Sequence, residues 1–111
     1  MVELFDSPLL RALAEPARLD VVRVLLVEGS SDIAGIAERL PQDRSVISRH
    51  LKTLLDAGVV RSHRDGRRVI YAIDGGRFIG ALEAIVAEAK ALAPLCCPPA
   101  IIPRAERAGR R

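Results

Sequence analysis

Apolar residues recur at three- and four-residue spacing along five stretches of the chain, and each stretch predicts an amphipathic helix. The most regular is 43–57, where Val46, Ile47, Leu51, Leu54 and Leu55 form one stripe. Asp43 can cap its start and Gly58 ends it. The other face is polar and begins basic, with Arg44, Ser45, Ser48 and Arg49 in the first turns and Lys52 a turn further on. A short helix precedes it, with Ile33, Ile36, Ala37 and Leu40 on one side, Asp32 as cap and Pro41 as stop. Two short helices joined by a few residues are the helix-turn-helix pattern. A second helix whose exposed first turns carry Arg and Ser suits a DNA major groove.

Upstream, Leu4, Phe5, Leu9, Leu10 and Leu13 mark a first helix within 3–14, regular from Pro8 to Ala14. Pro16 opens a second that runs to Glu28 and is so apolar at Leu19, Val22 and Val24 to Val27 that it is expected to be largely buried. After Gly58 the period drops to two. Val59 to Arg64 and Arg67 to Ile73 flank Asp65-Gly66, a strong hairpin signal because the turn needs residues at positive φ. Alternation of Val69, Tyr71 and Ile73 gives that hairpin one face to pack on the helices. A last helix is expected over 77–93, opened by Asp74-Gly75-Gly76 and ended by Pro94, with Phe78, Ile79, Leu82, Ile85, Val86, Ala89 and Leu92 apolar. The expected fold is mainly α with a small β-hairpin. Residues 1–97 form one winged helix-turn-helix DNA-binding and dimerisation domain, and 98–111, with Pro, Arg and Gly, a flexible C-terminal tail.

Composition narrows the partners. In 111 residues there is room for one modest core, and with Phe5, Tyr71 and Phe78 the only aromatics it must be built from Leu, Ile, Val and Ala. So light a core, with so apolar a last helix, favours pairing of that helix and the first with their copies in a second subunit. The formal charge is only +3, but between Arg44 and Arg68 seven cations face Asp56 and Asp65 alone, a plausible phosphate-binding footprint. The hairpin tip carries Arg64, Arg67 and Arg68, which makes it a wing able to reach phosphates or an adjacent minor groove; the plainer alternative is a solvated edge. No membrane-length apolar run, basic leader or disulfide framework is visible, so the cytoplasm is the expected compartment. With no nucleophile–base set, phosphate loop or metal-hydrolase motif, an enzyme is not expected. A winged-helix interaction module that does not bind DNA is the competing class.

Four stretches, in order and spacing, resemble the ArsR–SmtB family of bacterial winged-helix metalloregulatory repressors. They are Leu10 to Leu19, Ser45 to Leu54, Asp56 to Val60 and Arg64 to Tyr71. The resemblance implies a homodimer on an imperfect palindrome of operator DNA, released when an inducer binds. It places Arg44, Ser45, Ser48, Arg49 and His50 where the family's recognition residues sit. Arg44 or Arg49 suits a guanine edge, and the serines suit a base or a phosphate. His50 is either a DNA contact or a structural histidine, and Lys52 a phosphate ligand or a surface residue.

The inducer positions the resemblance implies fit this chain unequally. The short helix Ser31 to Glu38 has no cysteine, so a Cys-x-Cys site is absent there. The last helix has Glu83 and Glu88 but no histidine, which does not suit an intersubunit zinc site. Cys96-Cys97 remains, a vicinal pair of soft ligands flanked by Pro94, Pro98 and Pro99. Such a pair suits trivalent arsenic or antimony, inorganic or organic, and resembles the vicinal pair that some arsenite-responsive members of the family carry near the C-terminus. The third cysteine of that pattern is missing from Ala100-Ile101-Ile102-Pro103. Other soft metals (mercury, cadmium, copper(I)), an oxidant or reactive sulfur, or simple burial of the pair are the alternatives. No resident cofactor is required.

Overall fold

The computed structural model describes residues 7–96, and expectations for 1–6 and 97–111 lie outside the described residues. The elements run α1 (Pro8–Leu13), α2 (Pro16–Glu28), α3 (Ile33–Ala37), α4 (Arg44–Asp56), β1 (Val60–Asp65), β2 (Arg68–Ile73) and α5 (Gly75–Cys96). This is the expected winged helix-turn-helix order. Ser7 accepts the Leu10 N–H at 3.3 Å and Pro8 takes the first helical position, where its missing N–H costs nothing. Leu9 and Ala12 of α1, Val21, Val22 and Leu25 of α2, Ile36 of α3, and Ile47, Leu51 and Leu54 of α4 form one buried cluster with Val59 and Val60. Phe78, Ala81 and Ile85 lay one side of α5 against it.

Helix α2 is less buried than expected. Four successive apolar residues cannot all face inward at 3.6 residues per turn, so Val24 and Leu25 turn in while Leu26 and Val27 are left 62% and 73% exposed. Helix α3 stops at Ala37 rather than near Leu40. Arg39 and Leu40 donate back three residues, to Ile36 and Ala37, because Pro41 bars a regular helical conformation just before it. Asp43 stands at the start of α4, but only its backbone carbonyl serves, accepting the Ile47 N–H at 3.0 Å; its side chain makes no cap bond. Gly58, at φ 81°, ends α4 as expected, and a Cβ there would press on the Arg77 guanidinium at 3.1 Å.

The hairpin turns one residue later than Asp65-Gly66. Asp65 pairs with Arg68, leaving Gly66-Arg67 as the loop, with positive φ at Gly66 alone. Glycine first in a two-residue loop is the type II′ pattern, which spares Asp65 a left-handed conformation. Tyr71 and Ile73 pack on the core as expected, but Val69 does not join them, and the most buried residue of β2 is Ile70, out of phase with that set. A third extended segment joins the sheet at one point: Ser31 and Tyr71 exchange both backbone bonds, at 2.9 and 2.8 Å. Pro94 sits inside α5 instead of ending it. Its fixed φ is compatible with a helix, and in the last turn it forfeits little more than one bond, to the Lys90 carbonyl. No described helix is long and apolar enough to cross a membrane.

Candidate nucleic-acid interface

Helix α4 divides into two faces. Ile47, Leu51 and Leu54 are completely buried, at the spacing that puts them on one stripe. Arg44, Ser45, Ser48 and Arg49 are all exposed in the first two turns, Ser45 and Arg49 opposite that stripe and Arg44 and Ser48 on its flank. Since α3 and α4 pack on each other and α2 packs on both, the polar face is held on a fixed scaffold. Two guanidinium forks and two hydroxyls within two helical turns can donate to phosphate oxygens and to the acceptor edge of guanine. Lys52, also exposed, lies 3.9 Å from Asp56 in an i, i+4 pair of little energetic weight.

His50 is different. It is half-buried, and its Nδ1 accepts a hydrogen bond from Arg18 Nε at 3.4 Å. The same guanidinium donates through Nη1 to the carbonyls of Arg11 and Ala12, both at 3.2 Å. Of the two sequence readings of His50, this geometry favours the structural one. Burial lowers its proton affinity below the ordinary histidine value, and the nearby Arg18 charge lowers it further, with Glu15 opposing.

The wing arginines also separate. Arg64 and Arg67 are exposed at the tip. Arg68 is tied back, its Nε 2.9 Å from Asp32 Oδ2, so it links the hairpin to the start of α3. The backbone of Cys96 closes α5, and Cys97 lies outside the described residues. Among the described residues no three His, Cys, Asp or Glu side chains gather as a metal site.

Sequence reading missed Arg18 and its role. The signal was present: Arg18 stands three, four and seven residues before Val21, Val22 and Leu25, so a cation lies on the buried stripe of α2. The Ser31–Tyr71 bridge had no comparable signal, since an isolated backbone pair needs no side-chain pattern.

Comparison with known proteins agrees with this architecture. Residues 15–62 match the family described as "Bacterial regulatory protein, arsR family". The chain is 40% identical over 73 residues to the HTH-type transcriptional repressor SmtB of Mycobacterium tuberculosis, a match covering 64% of this chain and 53% of that protein. The chain thus spans about half the length of that relative. It is 33% identical over 89 residues to the probable mercury resistance operon repressor of Streptomyces lividans, covering 78% of this chain and 70% of that one. The homodimeric winged helix-turn-helix DNA-binding domain of Mb0332 from Mycobacterium bovis, solved by NMR, superposes with a TM-score of 0.61 at 30% identity, covering 78% of this chain and 83% of that domain. On these matches, with the fold and the two-faced α4 behind them, the chain belongs to the arsR family of bacterial regulatory proteins.

Proposed function

We propose that the chain is a dimeric transcriptional repressor that reads operator DNA with α4 and is released by a thiophilic inducer at Cys96 and Cys97. The observation that carries the DNA reading is the exposure of Arg44, Ser45, Ser48 and Arg49 on a helix whose Ile47, Leu51 and Leu54 are fully buried. Arg64 and Arg67 add phosphate contacts from the wing, Lys52 one more from the helix, and Arg68 and His50 set the positions of their elements. Dimerisation is supported by the outer face of α5, where Ile79, Leu82 and Val86 remain exposed at three- and four-residue spacing while Phe78, Ala81 and Ile85 pack inward. The homodimeric mycobacterial neighbour supports it too.

The inducer reading rests on chemistry. Adjacent thiolates bind trivalent arsenic or antimony, and the Streptomyces lividans relative is named for resistance to mercury, another sulfur-seeking ion. In the sequence the pair directly follows the apolar run of α5. A ligand there acts only through unequal affinity for the DNA-competent and incompetent dimers.

The test is fluorescence anisotropy of a labelled duplex from upstream of the protein's own reading frame. The reduced protein should raise it at low salt, and near-stoichiometric arsenite or phenylarsenite, but not zinc, should lower it. No binding at low salt would leave the winged helix as an interaction module. Binding indifferent to every thiophile would remove the cysteine reading and make oxidants the next ligands to try.

A further inference from the structure

We propose that Arg18 is a positioning residue that locks α4 to α1 through the neutral imidazole of His50, and that protonation of His50 opens this lock and weakens DNA binding. The inference rests on α4 being the DNA-reading helix.

One guanidinium joins three elements. Arg18 belongs to α2, its Nη1 holds the last-turn carbonyls of α1 at Arg11 and Ala12, and its Nε holds His50 on α4. The Arg11 carbonyl also accepts the Ala14 N–H at 3.3 Å, and both carbonyls lie at the negative end of that helix, so a cation is well placed there. Arg18 shares the stripe of Val21, Val22 and Leu25 and is half-buried. Helices α1 and α4 also touch directly. If α1 pairs with its copy in a dimer, Arg18 stands on the path between that pairing and the reading helix.

The joint requires a particular proton arrangement. Nδ1 of His50 can accept from Arg18 only when it carries no hydrogen, which places the proton on Nε2. A second proton on the ring sets N–H against N–H and cation against cation, and arginine does not yield its own proton. The charged groups that act on His50 are Arg18 and Glu15 from the α2 side and Arg49 on its own helix. Glu15 alone favours protonation, while burial and both arginines oppose it. The lock is therefore closed above the ordinary histidine range, about pH 6.5, and opens only as the pH falls through a lower value. Arg49, the next residue, is one of the four exposed donors of α4, so a shift of the helix at His50 moves the reading face directly.

The test has two arms on the full chain. Imidazole nitrogen NMR near pH 7.5 should show His50 with a bare Nδ1 and a protonated Nε2. Acidification should then move the backbone amides of Arg11, Ala12, Arg18 and α4 together with the His50 titration, with no DNA present. In DNA binding, His50→Asn keeps an acceptor near Nδ1 that does not titrate. Wild type should lose about tenfold more affinity than His50→Asn between about pH 7.5 and 5.5, roughly one decade in Kd. Arg18→Lys keeps the charge without the fork, and should bind about tenfold more weakly at the higher pH while its thermal midpoint stays close to wild type. A hydrogen on Nδ1, α1 amides indifferent to His50 protonation, or a His50→Asn profile parallel to wild type would each overturn the proposal. Absence of wild-type DNA binding at both pH values overturns the DNA reading and the DNA half of this inference, while the NMR arm still decides the lock by itself.

Discussion

Asp32 divides its carboxylate between Arg68 and the start of α3. Oδ1 accepts the Gly35 N–H at 2.9 Å, and Oδ2 holds Arg68 Nε at 2.9 Å. One side chain thus caps the first helix of the helix-turn-helix and fastens the first residue of β2 to it. Next to it, the Ser31–Tyr71 backbone bridge makes the same junction without side chains. Gly35 completes the arrangement, because a Cβ at that position would collide with Ser31 Oγ.

Replacing Asp32 should therefore cost more than replacing Arg68. Asp32→Ala loses both the cap and the ion pair. Arg68→Ala loses only the pair, and Arg68 is 61% exposed. In a domain of this size each kcal/mol lowers the thermal midpoint by about 4–8 °C. Thermal melts of both variants should rank them in that order; equal midpoints would mean that the cap contributes nothing.

The same carboxylate gives a pH signature. The Gly35 N–H, and after it the Arg68 guanidinium, hold the proton affinity of Asp32 below its ordinary 3.8. The folded state thus binds fewer protons at this site than the unfolded chain. Its contribution is fully present above about pH 4 and is lost as the pH falls through the lower folded value. Urea midpoints measured from neutral pH downward should therefore converge for wild type and Asp32→Ala in acid, and a constant gap across the series would contradict this assignment.

Arg44 and Arg49 should matter to DNA and not to stability. Both are exposed, and neither belongs to the buried cluster. Alanine at either should change unfolding free energy by no more than about 0.5 kcal/mol. An arginine paired with a guanine should cost about 1–3 kcal/mol of discrimination at one base pair. One that meets only phosphate should weaken all duplexes alike and reduce the salt slope by about one. Anisotropy against single-base operator variants at two salt concentrations separates the two roles. Arg64→Ala and Arg67→Ala should follow the phosphate pattern.

The cysteine pair gives a third kind of outcome. Cys96→Ser with Cys97→Ser removes both soft ligands while nearly conserving size. The double variant should bind the duplex as wild type does and ignore arsenite up to at least about a hundredfold excess over the protein, where mass action would reveal even weak sites. Retained release by arsenite would place the inducer site elsewhere.

Much of this architecture was legible from pattern. The stripe of Ile47, Leu51 and Leu54 fixed both the existence and the orientation of α4, because burial of large apolar groups at helical spacing leaves few alternatives. The exposed donors on the rest of its first two turns followed directly. The hairpin was legible too, but its turn was misplaced by one residue, since Asp-Gly and Gly-Arg loops share the same glycine and differ only in which neighbour must bend. Arg68 was legible as a candidate and not as a tie to α3, and His50 as a structural candidate without its partner. Their partners, Asp32 and Arg18, lie 36 and 32 residues away, and no local pattern encodes a long-range side-chain bond. Leu26 and Val27 were assigned to the interior on hydropathy alone, where the helical period permits only part of an apolar run to turn inward.

The outer face of α5 permits a decisive test of assembly. Ile79 and Val86 are 57% and 50% exposed, seven residues apart, and with Leu82 they form one stripe beside Glu83 and Lys90. In a monomer, glutamate at either position would meet only water and change stability by about 0.5 kcal/mol or less. In a dimer that buries the stripe against its copy, the same substitution places two like charges in an apolar interface, at a cost of several kcal/mol. Ile79→Glu and Val86→Glu should therefore sediment as folded monomers under conditions where the wild type sediments as a dimer. Their affinity for a two-half-site operator should fall by about a hundredfold or more, because each half-site must then be held without its neighbour. Circular dichroism separates this from unfolding. A helical, cooperative monomer with weakened DNA binding places the interface on α5, whereas an unaltered dimer would move it to another face of the molecule.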